Sequence, residues 1–247
     1  MKIIPLSEGA FSIDKTKVFI PFDKAKDDLQ KRAPGSLLVE IQPFVVITNK
    51  DIIVLDTGLG FTNPDGILQI HQHLTDNGIC PMDVTKVLLS HLHKDHAGGI
   101  SIADKIHGGV FFSFPNASYY VNEKELAYGL ANENQSYLPE EFKILSNSDK
   151  VVLLNDEGEI DGYIKYKMTG AHSPYHTVFW IEEENQTIFF GGDVAPQLQQ
   201  MKSRFVAKYD FDGKKSMELR TQWWQQGQQE HWTFLFYHDI KSPMLVL

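Results

Sequence analysis

The stretch SHLHKDHAGG, residues 90–99, puts His91, His93, Asp95 and His96 within six positions. Three imidazoles and a carboxylate at that density are metal-ligand chemistry. On a helix these side chains would fan around the axis, but in a loop directly after a strand they can converge. Gly98 and Gly99 then let the backbone turn away sharply. Four ligands do not complete two metal sites, so a dinuclear centre demands further His, Asp or Glu at later strand ends. The chain supplies His172 beyond a strand-like segment ending at Met168, Asp193 beyond Gly191 and Gly192, and His238 after the last apolar run. Ligand chemistry thus recurs at four strand-to-loop junctions, where a rigid scaffold places functional groups. Two divalent cations roughly 3.5–4 Å apart share a water, lower its pKa toward neutrality and polarise a carbonyl or phosphoryl oxygen, so no serine or cysteine nucleophile is required. Asp95 is placed to orient that hydroxide and to pass its proton to the leaving group.

The elements that must position these residues are visible in the apolar pattern. PFVVIT and IIVLDTG, separated by Asn49, Lys50 and Asp51, predict two antiparallel strands and leave Asp56 at a strand end. Ile67, Ile70 and Leu74 at helical spacing, followed by Gly78, predict a helix over 66–77. Residues 84–90 predict a short buried strand running into His91. Between 98 and 148 the signals are mixed: a strand over 118–121, then Asn122 and Glu125 at capping-box spacing, with outer helices. Strands return at 151–154, 163–168, 177–181 and 187–190, the last two in a hairpin pattern. Residues 212–229 predict a polar helix and 232–237 a final strand. With no low-complexity linker or strong repeat, residues 1–247 read as one domain of two packed sheets with helices outside. The charged segment 23–32 reads as a solvated helix and loop, or as a flap within residues 22–40.

Composition excludes several classes. Cys80 is the sole cysteine, so any metal must sit on nitrogen and oxygen. A formal charge of −9, with Lys and Arg scattered, opposes nucleic-acid binding. Charged residues interrupt the first 22 positions, no run approaches the roughly 20 apolar residues of a membrane span, and a soluble cytoplasmic protein is expected, with no membrane partner. Imidazole and carboxylate accept Zn, Mn, Fe or Co, with zinc as the default. Of the other histidines, His71 and His73 read as surface residues, His176 as a brace of the His172 loop, and His107 and His231 as lacking partner spacing. Trp223 and Trp224 read as core anchors of their helix, or as a lid or subunit contact.

HLHKDH resembles the HxHxDH signature of the metallo-β-lactamase superfamily. Asp56 in LDTG, His172 in GAHSPYH, Asp193 in GGD and His238 in FYHD match its remaining motifs in order, over roughly residues 43–239. The resemblance implies an α/β fold, a four-layer αββα sandwich with a metal site along one edge. It implies that His91, His93 and His172 hold a first metal, Asp95, His96 and His238 a second, and that Asp193 bridges them. Asp56 would support the ligand loop by hydrogen bonding. Ala171 and Tyr175 stand where the family often has glycine. The HLHKDHAGG core and FYHD ending are most similar to N-acyl homoserine lactonases and their neighbours, including organophosphate hydrolases. Such lactonases place an active-site tyrosine shortly after the bridging aspartate; Pro196 stands there in this chain, leaving Tyr175 or Tyr237 to substitute. The expected function is a metal-dependent hydrolase in which a metal-bridging hydroxide opens a lactone or cleaves a related ester, its substrate a small molecule. Alternatives are triester or thioester hydrolysis and, from another class, a non-catalytic metal-binding or ligand-sensing protein. β-Lactam cleavage is disfavoured for want of an export signal, a nuclease by charge, and a one-iron persulfide dioxygenase by Asp95 and His238 completing a second site.

Overall fold

A computed structural model describes residues 1–103 and 108–247; His107 lies outside the described residues. Two six-stranded sheets form the body. The first runs in the order Lys2–Pro5, Phe44–Ile47, Ile52–Leu55, Lys86–Leu88, Ser118–Asn122, Val151–Leu154. The second runs Glu157–Ile160, Ile164–Met168, Thr177–Glu183, Gln186–Phe190, Thr233–Leu235, Met244–Val246. A three-stranded sheet, Ile20–Pro21, Gly9–Ile13 and Leu37–Ile41, and a two-stranded one, Ser101–Ala103 with Val110–Phe112, lie beside them.

Strand side chains alternate between faces, and here both faces are apolar. In the first sheet Phe44, Val46, Ile53, Leu55 and Leu88 point into the core between the sheets, while Val45, Val54, Val87 and Leu89 point into an outer core. That outer core is closed by the helices Gln69–Asp76 and Glu123–Ala131, through Ile70, Leu74 and Leu126. In the second sheet Phe179, Ile181, Ile188, Phe190 and Leu235 face inward. Val178, Phe189, Phe234 and Phe236 face the long helix Gly213–Glu230. Three stacked cores make four layers, αββα. Burial on both faces is why the central strands Phe44–Ile47, Ile52–Leu55 and Gln186–Phe190 read as apolar runs, while Ile164–Met168 alternates, with Lys165 and Lys167 exposed. All four tryptophans, Trp180, Trp223, Trp224 and Trp232, pack in or against the third core, so Trp223 and Trp224 anchor the helix.

Pairing brings the ligand-bearing junctions level. Leu55 pairs in parallel with Leu88, so Asp56 and His91 leave the same end of the first sheet. Phe190 pairs in parallel with Leu235, which sets Asp193 and His238 three residues past a common rung. Thr177–Glu183 runs antiparallel to Gln186–Phe190, with Phe179 opposite Phe190, so the residues preceding it, His172 among them, lie at that same end. The Thr177 N–H donates to the Ser90 carbonyl at 2.8 Å, joining the two sheets at this edge.

Several boundaries shift. The helix expected over 66–77 forms only over Gln69–Asp76, and the strand expected over 84–90 spans Lys86–Leu88. The N-terminal strands, Lys2–Pro5 and Gly9–Ile13, are short and polar-interrupted and left no periodic signal. Segment 23–32 is exposed and turn-rich, with a single 3-10 turn at Leu29–Lys31. Lys24 ties it to the body, pairing with Glu40 at 2.7 Å and donating to the Ile240 carbonyl. His71 departs from its expected surface place: it is half-buried, its ring edge-on to Phe114 at 5.2 Å. No helix among the described residues is long and apolar enough to cross a membrane.

Candidate metal centre

The seven residues singled out by spacing converge at one edge of the sandwich. His91, His93 and His172 bring one ligand atom each within 4.8 Å of one another, and Asp95, His96 and His238 do the same. His91 Nε2 and His172 Nε2 stand 3.0 and 3.2 Å from His93 Nδ1. Asp193 lies between the triads. Its Oδ2 is 3.2 Å from His172 Nε2, while its Oδ1 is 2.9 Å from His238 Nε2 and 3.1 Å from His96 Nε2. Asp95 Oδ2 stands 3.5 Å from His238 Nε2.

The ring nitrogens facing away fix which ones face inward. His238 Nδ1 donates to the Glu40 carbonyl at 2.7 Å, and a carbonyl only accepts, so Nε2 is the nitrogen left to face the site. His172 Nδ1 donates to Asp210 Oδ1 at 2.8 Å, and His96 Nδ1 to Asp56 Oδ2 at 2.7 Å. The Ser90 hydroxyl gives its proton to Asp56 at 2.6 Å, so it accepts from His91 Nδ1 at 3.0 Å. Such outer partners orient ligating imidazoles and raise their basicity. Asp56, in a left-handed conformation with φ 54°, also accepts the Ser90 N–H. With three donors on its two oxygens it braces the ligand loop, although it lies close to His91 and His96.

The electrostatics are divided: burial would lower His96 and His238, but Asp193 and its neighbours hold His96 well above and His238 above the usual histidine range, so a metal must displace protons there. Burial, together with the neighbouring imidazoles, holds His91 and His93 well below the usual histidine range, so both rings are neutral, the state a metal ligand needs. Burial would raise the Asp193 carboxyl, but His238, His96 and His172 hold it well below the carboxylate range. His96 Nε2 and Asp193 Oδ1 are buried without a conventional hydrogen-bond partner. Orphaned inward-facing donor atoms and a nitrogen–oxygen donor set fit two divalent metals.

Several supporting residues act otherwise than the sequence indicated, or carried no signal there. Glu125, expected to close a capping box, instead accepts from the Leu92 N–H at 3.0 Å, the Tyr137 hydroxyl at 2.8 Å and the Ser173 hydroxyl at 3.0 Å. It thereby joins the loop of His91 and His93 to that of His172, while Asn122 alone caps the helix. Asp210 lies in a stretch of ordinary loop composition. His176, expected to brace the His172 loop, accepts from Thr169 through its carbonyl, and its Nε2 accepts the Asp193 N–H at 3.1 Å. The Tyr237 hydroxyl donates to the Asp95 carbonyl at 2.6 Å with its ring stacked 4.0 Å from His96, so that phenol is committed to structure. Tyr175 stands edge-on to Tyr128, and Tyr209, passed over in the sequence, has its ring 6.1 Å from His172.

A sequence profile described as the metallo-beta-lactamase superfamily matches residues 39–223. The chain belongs to the metallo-beta-lactamase superfamily. The matched span holds the ligand loops up to Asp193 and stops short of His238, whose place in this superfamily member rests on the geometry above. No curated protein sequence matches it. Among solved structures, a probable metal-dependent hydrolase from Staphylococcus aureus is similar at 22% identity and TM-score 0.79, over 99% of this chain and 91% of that one. AidC, a dizinc quorum-quenching lactonase solved with an N-acyl homoserine product, is similar at 19% identity and TM-score 0.73, over 98% and 88%. AbOPH, described as a hydrolase in the beta-lactamase superfamily, is similar at 22% identity and TM-score 0.70, over 98% and 88%. At these identities the likeness is one of fold.

Proposed function

We propose that residues 1–247 form one domain acting as a dinuclear metal-dependent hydrolase that opens lactones or cleaves related small esters. The observation that carries this reading is the placement of Asp193, with one oxygen toward His172 and the other toward His96 and His238. His91, His93 and His172 would hold one metal, Asp95, His96 and His238 the other, and Asp193 both. Zinc is the default, as in the dizinc lactonase of like fold, with Mn, Fe or Co compatible with the same donors. When bound, such a pair activates water at neutral pH and polarises the scissile carbonyl. The outer partners Asp56, Asp210 and the Glu40 carbonyl hold the imidazole rings in one orientation, with Nε2 of His96, His172 and His238 turned to the site. Asp95, half-buried at the second triad, is placed to accept a proton at Oδ2 and return it to the departing oxygen. A lactone keeps that oxygen tethered beside Asp95, and a neutral substrate meets no long-range repulsion from a chain of net charge −9.

The test is turnover by metal-loaded protein on a panel of acyl homoserine lactones, simple γ- and δ-lactones, a paraoxon-type triester and a thioester. Lactone cleavage that is lost on chelation and restored by divalent metal is expected, with weaker triester activity. Efficient triester or thioester cleavage with lactones untouched overturns the substrate choice. Full metal loading with no turnover at all supports a ligand-sensing protein instead.

A further inference from the structure

Arg220 sits midway along the helix Gly213–Glu230 with 1% of its surface exposed. A guanidinium taken out of water costs several kcal/mol unless its donors are used, and an aliphatic side chain would pack more cheaply beside Trp223. What it does use is specific. Nη1 donates to the Val194 carbonyl at 2.9 Å, one residue beyond Asp193, and Nη2 donates to the Phe205 carbonyl. These carbonyls belong to two different loops, and a planar fork reaches both at once where an ammonium would not.

Each loop leads to the metal centre. The first carries Asp193 and continues to Pro196, whose carbonyl accepts the His238 N–H at 3.0 Å. The second runs from Phe205 to Asp210, the carboxylate that receives His172 Nδ1. It is strapped to the His172 loop by Phe211 N–H to the His172 carbonyl and Asp212 N–H to the Ala171 carbonyl, at 3.0 and 2.7 Å. Asp212 then caps the helix that returns Arg220 to the start of the circuit, its side chain accepting the Lys215 N–H. Asp210 Oδ2 and Arg220 Nε are both buried without partners, and the Asp210 carboxylate helps hold the Arg220 charge against the effect of burial.

We infer that Arg220 is a positioning residue that sets the bridging carboxylate of Asp193 and the Asp210–His172 pair in register, so that affinity at the first metal site depends on a side chain touching no metal ligand. The inference rests on the dinuclear reading above. Its test is chelator competition and the visible spectrum of cobalt-substituted protein, for wild type, Arg220→Met, Arg220→Lys and Asp210→Asn. Outer partners of metal ligands are worth about 10–100-fold in affinity. Arg220→Met is expected to lose affinity in that range and alter the cobalt spectrum. Arg220→Met combined with Asp210→Asn is expected to lose less than the product of the two single losses, because both act through His172. A purely structural arginine gives a different result: Arg220→Met lowers the Tm of the chelated protein while metal affinity and spectrum stay as in wild type, which overturns the inference. If the methionine variant does not fold, Arg220→Lys keeps the charge without the fork, and wild-type affinity there overturns it equally. Wild-type protein that takes up fewer than two metals rejects the dinuclear reading itself, and is scored before any variant.

Discussion

Replacing Asp193 with alanine removes a carboxylate that faces both triads at once. Metal analysis of Asp193→Ala is expected to show both equivalents lost together, with hydrolysis down by more than about 100-fold, the scale of removing a key electrostatic group. His238→Ala, by contrast, should empty only the second site, and equal loss from both sites in that variant would contradict the assignment. Glu8 shows a different use of a carboxylate. It is buried, accepts the Leu59 N–H at 2.6 Å, and burial pushes it up to about 7 from an ordinary 4.5. The folded state therefore binds more protons than the unfolded between those values, so stability falls as pH rises from about 4.5 to about 7. The full penalty, of order 3 kcal/mol, applies above that window. Glu8→Gln should melt higher than wild type at pH 8 and nearly level with it at pH 5, compared in chelated protein. An unchanged difference between the two pH values would show that Glu8 does not titrate there. At this scale the residues that converge were legible because imidazoles and carboxylates at strand ends are conspicuous. Asp210, Glu8 and Glu125 were not, because each acts through a partner distant in sequence.

Elements were legible where burial is two-sided. The hairpin Phe44–Ile47 and Ile52–Leu55 and four second-sheet strands, Ile164–Met168, Thr177–Glu183, Gln186–Phe190 and Thr233–Leu235, lie where the sequence pattern placed them, whereas Lys2–Pro5, Gly9–Ile13, Glu157–Ile160 and Met244–Val246 owe their strands to tertiary pairing. Layer order was not readable from periodicity, since a run buried on both faces says nothing of what covers each. The helix Glu123–Ala131 shows how a local motif can mislead: the spacing of Asn122 and Glu125 marks the helix start, but tertiary donors claim the glutamate. Glu125→Ala leaves the buried Leu92 N–H without an acceptor and should destabilise the fold by about 2 kcal/mol, within the cost of one unsatisfied buried group. Denaturant unfolding measures it, and a change under about 0.5 kcal/mol, ordinary for a surface site, would mean the loops are held by other contacts. Gly60 constrains the same loop. At φ 71°, an added Cβ would stand 2.2 Å from the Gly98 carbonyl oxygen, so Gly60→Ala must displace the turn behind His96.

Across the whole molecule the candidate ligands divide by sheet: His91, His93, Asp95 and His96 follow the first, His172, Asp193 and His238 belong to the second. Bound metals would therefore clasp the two halves of the sandwich. Metal present at about 1,000 times its Kd adds roughly 4 kcal/mol to stability, so chelation should lower the Tm, and an unchanged Tm would argue that no metal is held. At the opposite edge the Lys86 ammonium pairs with Asp51 at 2.7 Å and Asp161 at 3.0 Å, a link that involves no candidate metal ligand. The gathering of every tryptophan in the outer core of the second sheet makes the protein an asymmetric optical object. Indole emission reports the half that carries Asp193 and Arg220, and is blind to the half built around the first four ligands. If chelation lets the sheets melt separately, emission and far-ultraviolet circular dichroism will part company, and the gap between the two curves will measure how strongly the metals couple them.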